Sequence, residues 1–300
     1  MNSVDEAKLI DGRSIATAIL ARAAANVQRI STETGGQVPA LATVIVGDDP
    51  ASHTYVRMKR KRCEEAGMLS IRVELPQGTT TPQLLDAIHK LAASQTVHGI
   101  LLQHPVPAPI DRRAAFEAIP IEKDVDGVTS AALGRLLLGM PSLAPCTPRG
   151  IMMLLEEHDV DLDGAEATVI GRSPILGRPM ASMLINKHAT VTLCHSRTRS
   201  LSNLVRRADV VIAAVGKPRY VKGTWIKPGA VVIDAGYNPG NIGDVDFDSA
   251  IKRASLITPV PGGVGPMTIA VLIEQTVQAA ADQLGVSLGT SGGADKSRVG

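Results

Sequence analysis

Three apolar runs in the second half of the chain each stop at a glycine, and they limit the fold more than any other feature. They are Ala167-Thr168-Val169-Ile170 before Gly171, Asp209 to Val215 before Gly216, and Ala230 to Ala235 before Gly236. Strands that are apolar on both faces belong in a parallel sheet covered by helices on each side. A further β-rich run, Ala189-Thr190-Val191-Thr192-Leu193, lies between the first two. The recurrence of strand, turn and helix reads as an α/β domain.

The first of these strands enters Gly171-Arg172-Ser173-Pro174-Ile175-Leu176-Gly177-Arg178-Pro179, the place where such sheets hold a dinucleotide. Backbone N–H groups at the start of the following helix point outward and attract phosphate. The usual glycine pattern is altered. Gly171 suits the tight turn, Ser173 stands where a second glycine is normal, and Gly177 comes one residue late. An ordinary strand–turn–helix link could carry the same residues, but the end of the next strand argues against it. There Cys194-His195-Ser196-Arg197-Thr198 offers no acid for a ribose 2′-hydroxyl, and a hydroxyl and an arginine stand instead. A guanidinium forks onto phosphate oxygens, which suits a 2′-phosphate. The expectation is a Rossmann-like domain holding NADP through Gly171, Arg172, Ser173, Gly177, Ser196, Arg197 and Thr198.

Three hundred residues accommodate about two domains with a sizeable core in each. The formal charge of +2 gives no basic footprint for nucleic acid, and two Phe, three Tyr and one Trp form no interleaved stacking series. Cys63, Cys146 and Cys194 lie far apart, which argues against a disulfide framework or a zinc site and fits a reducing compartment. No apolar run approaches the roughly 18–20 residues that span a bilayer. Met1-Asn2-Ser3-Val4-Asp5-Glu6 lacks the basic start and apolar stretch of a signal peptide. A cytoplasmic protein without membrane, nucleic-acid or metal partners is expected. Residues 286–300, mostly small and polar from Leu288 onward, read as a disordered tail.

The first half also alternates helix and strand. A long helix from near Arg13 is apolar at Ile15, Ile19, Leu20, Ala23 and Val27, close to the 3.6-residue period. Strands are expected at 41–46, 71–75 and 99–102, and helices at about 52–66 and 82–93, with Ser52 as the N-cap of the former. Polar residues gather at the ends of these elements. Tyr55 and Lys59 are four apart and share a helix face, a spacing that by itself usually means a solvated surface. Gln103 follows Gly99-Ile100-Leu101-Leu102 at the carboxyl end of a strand, where α/β sheets bind ligands. Asp124 and Asp126 flank Val125 in a loop ending at Gly127. That loop lacks the further oxygen ligands of a calcium site and by itself can be a plain turn. His53 and His195 read as packing or capping residues.

Taken together and in order, the motifs resemble one family. They are Tyr55-Val56-Arg57-Met58-Lys59, Gly99-Ile100-Leu101-Leu102-Gln103-His104-Pro105, Lys123-Asp124-Val125-Asp126-Gly127 and Pro145-Cys146-Thr147-Pro148 in the first half. In the second half come the Gly171 loop, Cys194 to Thr198, and Pro259-Val260-Pro261-Gly262-Gly263-Val264-Gly265-Pro266-Met267-Thr268. Over nearly the whole chain the sequence is similar to the bifunctional methylenetetrahydrofolate dehydrogenase/methenyltetrahydrofolate cyclohydrolases. The resemblance implies two α/β domains around a cleft: residues 1–147, completed by a returning helix at 267–285, and a Rossmann-like domain at 148–266. It also implies a homodimer formed through the Rossmann domains. By the same resemblance Tyr55 packs on the folate's aromatic portion, Lys59 is the key polar group of the cyclohydrolase step, Gln103 hydrogen-bonds it, and Asp126 grips the pterin. Three positions depart from the family pattern: His104, Ala132 and Gln275.

The chemistry fits such residues. Expelling a hydride from a methylene between two nitrogens leaves a delocalised cation and needs orientation rather than a protein base. The glycines of Pro261-Gly262-Gly263 let backbone approach a flat ring. Hydration of the cation needs a group that takes a proton from water and returns one to the departing nitrogen, which an amine does when its pKa lies near neutrality. Two other readings compete: an oxidoreductase like shikimate dehydrogenase, and a folate-binding protein without turnover. The Gly171-Arg172-Ser173 loop and the Tyr55/Lys59 pair speak against the first; Lys59, Gln103 and Asp126 together speak against the second.

Overall fold

The structure, a computed structural model, describes residues 7–288. The first part of the chain runs β1 (Lys8–Leu9), α1 (Gly12–Glu33), β2 (Ala40–Val46), α2 (Pro50–Glu65), β3 (Leu69–Leu75), α3 (Thr81–Ala93) and β4 (Gly99–Leu102). Then follow α4 (Arg112–Glu117), α5 (Ser130–Leu137), α6 (Cys146–Glu157), β5 (Glu166–Ile170), α7 (Gly177–Ile185) and β6 (Thr190–Cys194). The last elements are α8 (Leu201–Val205), β7 (Val210–Ala213), β8 (Val231–Asp234), α9 (Phe247–Ala250), β9 (Leu256–Ile257) and α10 (Val264–Leu284).

Two all-parallel sheets result. The smaller has the order β3-β2-β4; its central strand β2 is buried throughout, as a strand covered on both faces must be. The larger has the order β1-β9-β8-β7-β5-β6. Five of its strands follow the doubly wound sequence in which the first lies between the second and third. The switch point therefore opens between the carboxyl ends of β5 and β7. This is the expected two-part α/β architecture.

Helix α1 starts under Asp11, whose Oδ1 accepts the N–H groups of Arg13 (3.0 Å) and Ser14 (3.3 Å). Its buried face, Ala16, Ile19, Ala23, Val27 and Ile30, keeps the helical period. Helix α10 is buried nearly all round. Met267 and Ala270 enter the core below the large sheet, while Val271, Ile273 and Val277 enter the core beside the small one. It packs on α1, α6 and α2 and on strands β2 and β4, so the chain's last helix returns to its first half.

Several boundaries differ from expectation. Helix α2 begins at Pro50, so Ser52 lies within the first turn and is not the cap. A proline at that position has the φ that a helix needs and no N–H to leave unpaired. Strand β1 was not expected: Lys8 and Leu9 pair with Leu256 and Ile257, which puts the start of the chain in the second sheet rather than the first domain. Two residues are too short a run to carry a strand pattern. Helix α10 starts at Val264, three residues before Met267. It ends at the left-handed Gly285, and Val286 turns back into the core with Leu288 packed on it, so these residues are not part of a tail. The tail beyond Leu288 and the Met1–Glu6 segment lie outside the described residues.

Because Ile273 is fully buried at the middle of α10, Ile273→Ala should destabilise the protein by about 2–5 kcal/mol. The check is the urea midpoint, which should fall while the slope of the transition stays unchanged.

Candidate active site between the two sheets

A small cavity of about 90 Å³ opens between the two halves. Lys59 of α2 and Asp126 of the Lys123–Gly127 loop stand on one side with Cys146 and Thr147 from the start of α6. Ile175 of the Gly171 loop and Thr268 of α10 face them. Motifs of the first half and the loop after β5 therefore meet in one space.

The Lys59 ammonium donates to Gln103 Oε1 at 2.8 Å. Gln103 is nearly buried, and its orientation is fixed. Its backbone N–H donates to Val44 O at 2.8 Å, and its Nε2 donates to His104 O at 2.7 Å, so Oε1 is left to accept from the lysine. Burial of the ammonium lowers the Lys59 pKa, with Asp126 opposing that shift. Burial likewise raises the Asp126 pKa, with Lys59 opposing. The pair thus presents a cation and an anion that burial pushes toward neutrality and that hold each other charged.

The two aspartates of the loop have separate tasks. Asp124 is fully buried and accepts the N–H groups of Val128 (3.1 Å) and Thr129 (2.9 Å), so it builds the loop. Asp126 is left to face the cavity. Sequence reasoning missed what braces it. Cys146, its thiol pushed well up by burial, shares its one S–H proton between Val125 O at 3.3 Å and the Asp126 carboxylate, to which its backbone N–H also donates. Gln275, noted only as a departure from the family, holds Val125 O (2.8 Å) and Ala144 O (2.9 Å) through Nε2 and accepts the Ala144 N–H (3.1 Å). Ala132 is buried in the first turn of α5, its N–H donating to the capping Thr129 Oγ1. His104 packs against Phe116 with ring centroids 5.0 Å apart.

Tyr55 lies one turn before Lys59 and is half-exposed. Its phenol is pushed up by burial and by the nearby Tyr237, an exposed residue after β8 that carried no signal in the sequence. The Pro261-Gly262-Gly263 turn lies against the start of α1: a Cβ on Gly12 would overlap the Gly263 carbonyl.

On the other wall, Gly171 has φ 122° and lies against the Ala214 carbonyl, a conformation and an approach that exclude a side chain. Gly177 in turn lies against the Gly171 carbonyl. Ser173 takes the missing glycine's place usefully: its Oγ accepts from Leu176 N–H (3.2 Å) and Gly177 N–H (3.4 Å) and so caps α7. Arg172 and Arg178 are exposed beside this turn. At the end of β6, His195 N–H donates to Thr198 Oγ1 (2.8 Å) and Arg197 N–H meets His195 Nδ1 (3.1 Å), which leaves Ser196 and Arg197 exposed. The cradle fits a dinucleotide with a 2′-phosphate, having close backbone, a helix start and an exposed guanidinium where an acid would repel. His53 lies apart, with Arg72 and Glu74. Among the described residues no three His, Cys, Asp or Glu side chains stand where they could share a metal ion.

Comparison with known proteins agrees with this geometry. Residues 10–126 match the model of the tetrahydrofolate dehydrogenase/cyclohydrolase catalytic domain, and residues 145–284 match that of its NAD(P)-binding domain. The chain is 61% identical over 286 residues to bifunctional protein FolD 1 of Streptomyces avermitilis, covering 95% of this chain and 99% of that one. Among solved structures it resembles the bifunctional FolD enzyme of Campylobacter jejuni, with a TM-score of 0.89 and 44% identity over 92% of this chain and 99% of that one. It equally resembles the Trypanosoma brucei enzyme, complexed with NADP cofactor and an inhibitor, with a TM-score of 0.89 and 39% identity over 92% and 98% of the two chains. The chain belongs to the tetrahydrofolate dehydrogenase/cyclohydrolase family.

Proposed function

We propose that this protein oxidises methylenetetrahydrofolate with NADP and hydrolyses the methenyl product to 10-formyltetrahydrofolate in the same cleft. The observation that carries the reading is the Lys59–Gln103 hydrogen bond of 2.8 Å, beside Asp126 in a cavity shared with the Gly171 loop.

The residues divide the work. Asp126, braced by Cys146, accepts hydrogen bonds from the pterin's amino and ring N–H groups and fixes its plane. Tyr55 packs on the folate's aromatic portion. Pro261, Gly262 and Gly263 bring backbone close to the reacting rings. Gly171, Arg172, Ser173 and Gly177 receive the dinucleotide's phosphates, and Ser196, Arg197 and Thr198 its 2′-phosphate. When bound, NADP supplies the hydride acceptor. The protein contributes orientation to that step and needs no base.

Hydration does need one. As water adds to the methenyl carbon, Lys59 takes its proton; as the carbon–nitrogen bond breaks, the ammonium returns a proton to the nitrogen. Burial lowers the pKa of the amine and so eases its proton exchange, and Gln103 aims it.

Three further readings belong to this proposal. The first domain comprises the small sheet with α10 as its completing helix, the second the large sheet. The protein is a homodimer through its Rossmann domains; β6 is an edge strand of the large sheet with Thr190 and Thr192 exposed, and Ile185 at the end of adjoining α7 is also exposed. It acts in the cytoplasm, in keeping with three buried free cysteines; no described helix is long and apolar enough to cross a membrane.

Lys59→Met keeps much of the side chain's packing and removes the amine. Cyclohydrolase turnover should fall by about 10²–10⁴-fold, while the dehydrogenase retains activity and the methenyl intermediate accumulates in the absorbance trace. Cyclohydrolase near the wild-type rate would remove Lys59 from the proton transfers and leave it a structural partner of Gln103. Loss of both activities in folded protein would mean that Lys59 also positions the substrate.

Arg197→Ala removes one charge-assisted contact worth roughly 1.5–3 kcal/mol. The KM for NADP should rise roughly ten- to hundredfold, with the weak NAD reaction unchanged. Wild-type protein using NAD as efficiently as NADP would overturn this assignment.

A further inference from the structure

Two carboxylates outside the catalytic pocket are buried with backbone N–H groups as their partners. Asp234 closes β8 at 4% exposure, and Asp244 is fully buried in the loop that follows. Asp234 Oδ1 accepts from Gly236 N–H (2.9 Å) and Asp244 N–H (2.9 Å), and its Oδ2 accepts from Val245 N–H (2.8 Å). Asp244 Oδ2 accepts from Val215 N–H (2.5 Å) and Gly216 N–H (2.8 Å). Its Oδ1 accepts from Lys217 N–H (2.8 Å) and from Asn238 Nδ2 (3.0 Å).

Burying a carboxylate costs several kcal/mol unless its oxygens are fully bonded, and bonds to a charged acceptor are about twice as strong as neutral ones. Here those bonds are spent on loops. Asp244 gathers three consecutive amides of the turn after β7, next to Ala214, against which Gly171 lies. The backbone N–H of Asp234 donates to Thr258 Oγ1 at 2.7 Å, and Thr258 sits directly beneath Gly263. The packing leaves no slack, because a Cβ on Gly236 would overlap the Asp244 carboxylate and one on Gly243 the Asp234 carboxylate. One hub therefore ties together the carboxyl ends of β7, β8 and β9, the edge from which the cofactor wall of the cleft is built. Lys59, Gln103 and Asp126 stand on the other wall. Burial pushes Asp234 up to about 6, and its three N–H donors, which favour the ionised carboxylate, oppose that rise.

We propose that Asp244, its own backbone N–H held by Asp234, is a positioning residue for hydride transfer: it fixes the turn at 215–217 against the dinucleotide and has no part in hydration. In Asp244→Asn one oxygen becomes an NH₂ that faces N–H donors, so the turn after β7 is released without loss of volume.

The test measures NADP affinity by calorimetry together with both activities, on full-length protein whose circular dichroism matches wild type. Asp244→Asn should weaken NADP binding and lower dehydrogenase kcat/KM by about tenfold or more, with cyclohydrolase within about twofold of wild type. Asn238→Ala removes one bond to Asp244 and should shift the ratio of the two activities the same way by about threefold. Raised NADP concentration should restore much of its dehydrogenase rate. If Asp244→Asn does not fold, Asn238→Ala decides alone. Parallel loss of both activities in a folded variant, or unchanged NADP affinity and dehydrogenase, would overturn the proposal.

Discussion

Everything about the cleft depends on the burial of α10. Its first turn leaves the Gly262–Gly263 turn, its early residues sit in the core under the large sheet, and its later ones fill the core beside the small sheet. A helix apolar on nearly all sides has to be covered on all sides. Two half-domains meeting on it are held at a fixed separation. That separation allows Lys59 and Asp126 from one half to face Ile175 from the other. Gln275 on the same helix reaches back to Val125 and Ala144, so the packing that fixes the cleft also fixes the loop that carries Asp126.

Much of this was legible in the sequence. Strands buried on two faces announced themselves as uninterrupted apolar runs, and β2, β4, β5, β7 and β8 lie where those runs predicted them. Strand β1 and the start of α2 were not legible. A two-residue strand has no period, and a helix start set by proline competes with a plausible serine cap two residues later. The candidate site residues stood out as motifs, and the structure brings Lys59, Gln103 and Asp126 together. The residues that hold them were not. Asp244, Cys146 and Gln275 act on groups distant in sequence through backbone amides and carbonyls, which no local pattern encodes. The Asp-Val-Asp loop shows the same limit: spacing offered two carboxylates, and only burial assigned one to the loop and one to the cavity.

The two walls also explain how one cleft serves two reactions. Hydride transfer depends on placement, and the wall facing the dinucleotide is made of backbone turns pinned by buried carboxylates. Hydration depends on a proton carrier, and the opposite wall supplies an amine. On the proposed reading neither wall carries the other's essential group, so mutation should separate the two activities although the product of one is the substrate of the other in the same cleft.

The Lys59 amine sits in an environment that disfavours its charge, partly balanced by Asp126. The most direct measurement is an NMR titration of lysine Cε resonances in ¹³C-labelled protein, with Lys59 assigned from its Lys59→Met spectrum. The Lys59 midpoint should lie below the 10.5 of an unperturbed lysine, and lower still in Asp126→Asn, where the balancing charge is gone. A Lys59 that titrates with the exposed lysines, and is unmoved by Asp126→Asn, would contradict this.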